Sequence, residues 1–314
     1  MICGMIFAKS EFIMRKLICL SLLLLTTILL MGQTRLSVVD SVTGEPIPYA
    51  HIVYGDHEGR YTNENGIVNI PDGVTTVTIS HITYESMELD LQSLENELIT
   101  MVPVITELHP AVILPRNKRK ETIGLASAKR ESTHGGRNGF KIAEFFAYSS
   151  NWAYAPLITS VSLNLNTVNL KRSMTVRTGD GVEYSDGIMH IAKLRIDLRG
   201  VDSTTGGPGE SLINGGVIYY IKDNFNLNLH KLCKVSLPEP AVYPESGVFA
   251  VVEWIVTEDV RVQDSVSPSI WCTRAVDNQS SWVKWPVGTP WKRMDKGPYD
   301  DFEKSFCIGL EIMM

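Results

Sequence analysis

From Thr34 onward the chain is written in short alternating pieces: RLSVVDS, YAHIVYG, GIVNIP, TTVTISHI and LITMVPV, separated by Gly, Pro, Asn and Asp. Alternation with period two sends one face of a segment into a core and the other into water, which predicts antiparallel β-strands. Only DLQSLENEL has helical spacing in this region, and it is too short for more than a turn or two. The alternating pattern resumes after Phe140 in LITSVSLNLN, AKLRIDLRGV, GGVIYYI, FNLNLHKL, GVFAVVEWIV and SFCIGLEIM, each the length of a sandwich strand. The predicted fold is all-β: a small sandwich over 34–115, a basic connector over 116–138 and a larger antiparallel sandwich of jelly-roll type over 139–314. AVILP is expected to add a closing strand to the first sandwich.

The turns explain much of the polar sequence. Asn63-Glu64-Asn65-Gly66 and Pro71-Asp72-Gly73 place residues that tolerate positive φ where a hairpin must reverse. A calcium loop needs carboxylates at alternate positions closing on a bidentate Glu, and this stretch offers Glu64 and Asp72 with mostly amides between them. Chain reversal is the expectation.

The N-terminus reads differently from the rest. Met14-Arg15-Lys16 precedes the apolar run LICLSLLLLTTILLM, the form of a secretory signal ending near Gln33, with Met14 a better-placed start than Met1. Export to the periplasm, the outer-membrane surface or the medium is expected. An uncleaved anchor is the alternative, because no A-x-A-like pair precedes Gly32 and Gln33. Loss of Lys9, Arg15, Lys16 and Glu11 would take the formal charge from −6 to −8. Such a chain is a poor nucleic-acid binder, and RNKRK at 116–120, without interleaved aromatics, reads as a solvated connector. Cys233, Cys272 and Cys307 remain after cleavage, which allows at most one internal disulfide and supplies no C-x-x-C pair.

The stretch VVDSVTGEPIPYAHIVYGDHEGRYTNENGIVNIPDG resembles the carboxypeptidase regulatory-like domain, a small prealbumin-like β-sandwich. The likeness rests on Asp40, the Thr43-Gly44-Glu45-Pro46-Ile47 turn, Tyr49-Ala50, and the Thr62–Gly66 turn followed by Ile67, Val68, Asn69 and Ile70. It covers about residues 35–105. The resemblance implies a non-catalytic module of the kind fused to peptidases, surface proteins and outer-membrane receptors of diderm bacteria. The later order LRIDLRGVDSTTGGPGESLI, YPESGVFAVVEWI, CIGLEI is similar to a second module found behind such domains in secreted proteins, for which it implies no activity.

Motifs for chemistry are sparse. No histidine is followed three residues later by Glu, as the zinc site of a carboxypeptidase requires, and His57-Glu58 lacks the second His of H-E-x-x-H. G-x-S-x-G, P-loop and G-x-G-x-x-G patterns are missing from the sequence. Asp202 and Glu210, with Ser203 and Thr204, are candidate calcium ligands if the GVDSTTGGPGES loop folds back, but its glycines and proline point first to a long inter-strand turn. Trp271, Trp282, Trp285 and Trp291 are candidate sugar-stacking residues. Trp282 and Trp285, three apart in a strand, point to opposite faces and make no single platform, and Trp254 in FAVVEWIV reads as core. The sequence thus predicts a non-catalytic envelope module that needs no cofactor and is at most peripheral to a membrane. Its partner would be an envelope protein or a glycan. A glycan-binding surface and a hydrolase with an unrecognised site are the alternatives.

Overall fold

The computed structural model describes residues 33–314 apart from 56–57, 95, 105–118, 167–173, 179–180, 186–189, 222–230, 258–264, 276–279, 286–288 and 295–302. The expected signal, the AVILP strand, most of RNKRK and most of FNLNLHKL lie outside the described residues.

Among the described residues, seven strands make the first sandwich: β1 (Gln33–Asp40), β2 (His51–Tyr54), β3 (Glu58–Tyr61), β4 (Ile67–Pro71), β5 (Thr76–His81), β6 (Tyr84–Asp90) and β7 (Leu98–Met101). A three-stranded sheet, β4-β1-β7, faces a four-stranded sheet, β3-β2-β5-β6. Alternate residues meet in the core between them, Leu36 and Val38 opposite Ile52, Val77 and Ile79. The pairing is not wholly antiparallel: β1 runs parallel to β7, which reaches it only after the chain has crossed the other sheet. DLQSLENEL contributes one 3-10 turn, Leu91–Ser93.

The second sandwich comprises β8 (Lys120–Gly124), β9 (Ser132–Arg137), β10 (Lys141–Phe146), β11 (Leu157–Asn166), β12 (Met174–Thr178), β13 (Gly181–Ser185), β14 (Lys193–Val201) and β15 (Pro208–Ser211). It continues with β16 (Val217–Tyr219), β17 (Lys231–Val242), β18 (Val248–Ile255), β19 (Ser265–Arg274), β20 (Ser281–Lys284), β21 (Lys292–Arg293), β22 (Lys304–Phe306) and β23 (Ile308–Met313). One sheet runs β15-β14-β18-β10-β20-β21, and the opposing sheet runs β22-β19-β11-β23-β8, with β17 on β11, β9 on β19, and β12-β13 as a separate hairpin. Ile142, Leu194, Ile196, Val252 and Trp254 from the first sheet pack on Val161, Leu163, Ile270 and Leu310 from the second.

The connector expected over 116–138 is corrected from Lys120 onward, because β8 pairs with β23 and β9 with β19. STHGGR looks like a loop because of its glycines, yet a Cβ on Gly136 would lie 2.4 Å from Trp254 Nε1. The glycine is there to let a strand approach the largest core side chain. Trp254 is fully buried and donates its indole N–H to Pro268 O at 2.7 Å, as its apolar surroundings predict.

The turn at Asn63 reverses the chain around its own side chain. Its Oδ1 accepts the backbone N–H of Asn65 at 2.9 Å and of Ile67 at 3.0 Å, while Gly66 takes φ +70°. A Cβ on Gly66 would also sit 2.5 Å from Val38 O, whereas Gly73, at φ +87°, has open space around it. Both Gly66→Ala and Gly73→Ala therefore incur backbone strain, but only the first adds a clash with β1. Urea unfolding should show Gly66→Ala losing about 1–3 kcal/mol more than Gly73→Ala; equal losses would mean the close approach contributes nothing.

Candidate functional site

The largest concentration of buried charge lies where the two sandwiches meet. β18 explains how it arises, since all eight of its residues are buried. Val248, Ala250, Val252 and Trp254 face the inner core, so Phe249, Val251, Glu253 and Ile255 occupy the outer face of the same sheet. Ile255 packs with Tyr49 and Tyr61 of the first sandwich, and Glu253 sits beside them, 3% exposed.

A carboxylate removed from water must be answered by donors. Tyr61 donates its hydroxyl to Glu253 Oε1 at 2.6 Å, Lys141 Nζ lies 3.2 Å from the same oxygen, and Arg195 Nη1 donates to Oε2 at 3.2 Å. Arg195 Nη2 then crosses to the first sandwich and donates to Tyr49 O at 3.0 Å. Cross-strand register supplies these partners, for Glu253 stands opposite both Lys141 of β10 and Arg195 of β14. Burial pushes the Glu253 carboxyl upward, but Lys141, Arg195 and the Tyr61 hydroxyl outweigh it and hold the group well below the usual carboxylate range. His51 stacks on Tyr61 at 4.6 Å, and burial, reinforced by Lys141, Arg195 and Lys284 against the opposing pull of Glu253, lowers its pKa to about 4.

A more exposed set continues the contact. Lys193 Nζ lies 3.1 Å from Glu64 and 5.0 Å from the Tyr49 ring centroid, and the hydroxyls of Tyr49 and Tyr220 are 3.1 Å apart. Tyr49 adopts φ +59°, a conformation a bulky side chain takes only when its surroundings impose it.

A second buried acid points the other way, into the larger sandwich. Glu144 Oε2 accepts from Ser281 Oγ at 2.5 Å and from the Phe306 N–H at 3.0 Å, joining one sheet to the edge of the other, while Oε1 is buried without a hydrogen-bond partner. Burial raises its pKa to about 7, with Ser281, the Phe306 N–H and Ser305 only partly opposing it. Hollows of about 640 Å³ beside the Gly55 and Gly73 turns and about 420 Å³ beside Asn164 and Lys129 lie away from both acids, and one of about 230 Å³ is lined by Ser281, the partner of Glu144, and by Ser305.

The residues expected to form sites are dispersed. Asp202 Oδ1 accepts the N–H groups of Thr204 at 2.9 Å and Thr205 at 2.7 Å and the Thr205 hydroxyl at 3.0 Å, so it organises its own turn, and Glu210 is exposed. Asp40 does the same with Val42 at 2.6 Å and Thr43 at 2.9 Å. The two sequences, Asp40-Ser41-Val42-Thr43-Gly44 and Asp202-Ser203-Thr204-Thr205-Gly206, are one turn used twice, each ending in a glycine at positive φ. Among the described residues no three His, Cys, Asp or Glu side chains gather as metal ligands. Trp282 and Trp291 come together beside Phe145 and Phe249 on the outer face of the β18 sheet. Trp285 packs instead against Phe140, with Arg137 5.6 Å from its ring centroid, and Trp271 lies in β19 of the opposite sheet. Cys233, Cys272 and Cys307 are buried, and no disulfide joins them.

Sequence reasoning missed Glu253, Arg195, Lys141 and Glu144. The signal was present as charges inside otherwise apolar strands, GVFAVVEWIV, KLRIDL and KIAEFF, where a solvated face would be expected to alternate fully. Searches against protein-family models, curated proteins and solved structures return no match for this chain.

Two outcomes follow for stability. Glu253→Gln leaves Arg195 and Lys141 without their counter-charge and should cost about 3–5 kcal/mol in chemical denaturation, whereas Glu64→Gln, removing the exposed partner of Lys193, should change little. Glu144 has the opposite pH signature, because its folded pKa of about 7 exceeds the ordinary glutamate value of 4.5. The folded state then holds its proton more tightly, so its contribution is complete below pH 4.5 and is lost as pH rises through 7. Replacement by Gln should remove a fall of order 3 kcal/mol across that window, and an unchanged slope in the variant would refute the assignment.

Proposed function

We propose that this protein is an exported, non-catalytic structural or interaction module of the cell envelope, its first sandwich a carboxypeptidase regulatory-like domain. The observation that carries the reading is the use made of Glu253: both of its oxygens bind groups that join the sandwiches, so the strongest polar constellation is spent on holding one body together. A general acid or base needs an open path to substrate, and a nucleophile needs an adjacent base with room for the reacting atom. Glu253 instead faces Tyr61, Lys141 and Arg195 across a packed boundary. The paired Asp40 and Asp202 turns likewise support a scaffold whose polar loop residues serve backbone geometry.

Fractionation of a diderm host expressing the full chain tests the compartment: the protein should be recovered in the periplasmic or outer-membrane fraction with a shortened N-terminus. A panel of ester, glycoside and peptide substrates tests the chemistry. Turnover that disappears in Glu144→Gln, a variant that should remain folded at acid pH, would overturn the non-catalytic reading.

A further inference from the structure

The outer face of the β18 sheet holds more cations than it has carboxylates to match. Arg195 and Lys141 share Glu253, and Arg199 Nε donates to Asp197 at 2.7 Å and its Nη1 to Gly209 O at 3.0 Å. Lys284 is left over. It stands directly across from Lys141 in the sheet, and among the described residues it makes no hydrogen bond or ion pair. Burial lowers its pKa, and Lys141 and Arg199 lower it further against a weaker pull from Glu253. A further donor in the same cluster, Arg195 Nε, is buried without an acceptor, and His51 Nε2 is buried without a partner. An ammonium held among like charges, beside an unfilled donor, is a place where an anion would be welcome.

The neighbours of Lys284 indicate what the anion would be attached to. Trp282 precedes it by two residues, on the same face of β20, and is partly exposed. Its six-membered ring is backed by Gly207, where a Cβ would come within 3.0 Å, and by Phe249 at 6.1 Å between centroids. Exposed Arg293 of β21 is the cross-strand partner of Trp282. A cation, an indole and a second cation therefore follow one another along the sheet. Indole faces pack on the apolar face of a pyranose, and flanking cations take a carboxylate.

We infer that the strip formed by Lys284, Trp282 and Arg293 binds an acidic polysaccharide, with the Lys284 ammonium taking a uronate carboxylate and the Trp282 indole packing on the sugar ring. This inference rests on the reading of the chain as a non-catalytic envelope module and names the class of partner. It draws one of the four candidate tryptophans, Trp282, into the site and leaves Trp271, Trp285 and Trp291 out. The overall charge of −6 means that attraction to a polyanion must be local to this face and not a property of the whole surface.

The test is a titration of the full mature chain with polygalacturonate, followed by tryptophan fluorescence and calorimetry, with dextran and inorganic sulfate as comparators. Polygalacturonate should bind and raise the melting temperature, more weakly as salt is added. Lys284→Met, which keeps the apolar stem, should weaken binding at least tenfold, and in the absence of polymer it should melt higher than the parent because it removes an unmatched charge. Absence of binding at low salt, equal binding by Lys284→Met, equal binding of dextran, or sulfate binding as tight as the polymer would each overturn the assignment. Cleavage of the polymer would sink the non-catalytic reading while leaving the site standing; failure to bind would remove the site alone.

Discussion

A carboxylate withdrawn from water at the boundary of two β-sandwiches constrains everything around it. Glu253 can occupy the outer face of β18 only because β10 and β14 present Lys141 and Arg195 in register with it and because Tyr61 arrives from the other sandwich. Each of these groups is in turn fixed by something else: Arg195 by Tyr49 O, Tyr61 by stacking with His51, Tyr49 by a positive φ that its contacts impose. A charge pair in such a place gives less net stability than its Coulomb attraction suggests, since both ions lose their hydration. Its stronger effect is on geometry, because an interface with one buried charge has few alternative ways to dock that leave the charge answered.

The fold was largely legible in the chain because its information is local. Alternation, turn glycines and Asn or Asp at turn corners act within a few residues, and β5, β11, β14, β18 and β23 fall where the alternating pieces put them. What failed was the region whose structure depends on distant partners. KETIG and STHGGR are poor strands by composition, and they pair only because β23 and β19 offer open edges to them. Gly136 is the clearest case: its meaning is set by Trp254, far along the sequence, and no local rule can supply that.

The candidate site was less legible for the same reason. Tryptophans and loop carboxylates attract notice in a sequence because of what such side chains can do when exposed. Asp202 turned out to be engaged with its own backbone, and the same five-residue turn at Asp40 was the available clue. The informative residues were charged ones embedded in apolar strands, where they break the expected alternation. A strand such as VFAVVEWI, apolar on both parities, already announces that both faces are covered; Glu253 then marks where the outer cover must be polar.

Glu253 and Glu144, both buried, show how the same side chain acquires opposite character from its surroundings. Glu253 is ringed by cations and a hydroxyl, which hold its carboxyl well below the usual carboxylate range, so it is ionised at neutral pH and ties the sandwiches together as a charge. Glu144 meets serine hydroxyls and a backbone N–H but no cation, and burial lifts it into the neutral range. The outer face of the β18 sheet is thereby divided into three zones. The first sandwich covers Ile255, the ion cluster surrounds Glu253, and aromatic side chains cover Val251 and Phe249. Lys284 and Trp282 stand in β20 at the side of the last two zones; Trp282 packs on Phe249, whereas Lys284 makes no hydrogen bond or ion pair among the described residues. A face that spends its charges so closely elsewhere and leaves one half-buried ammonium unanswered next to an indole is better understood as waiting for a ligand than as imperfect packing, since replacing that lysine by an apolar residue would have satisfied packing alone.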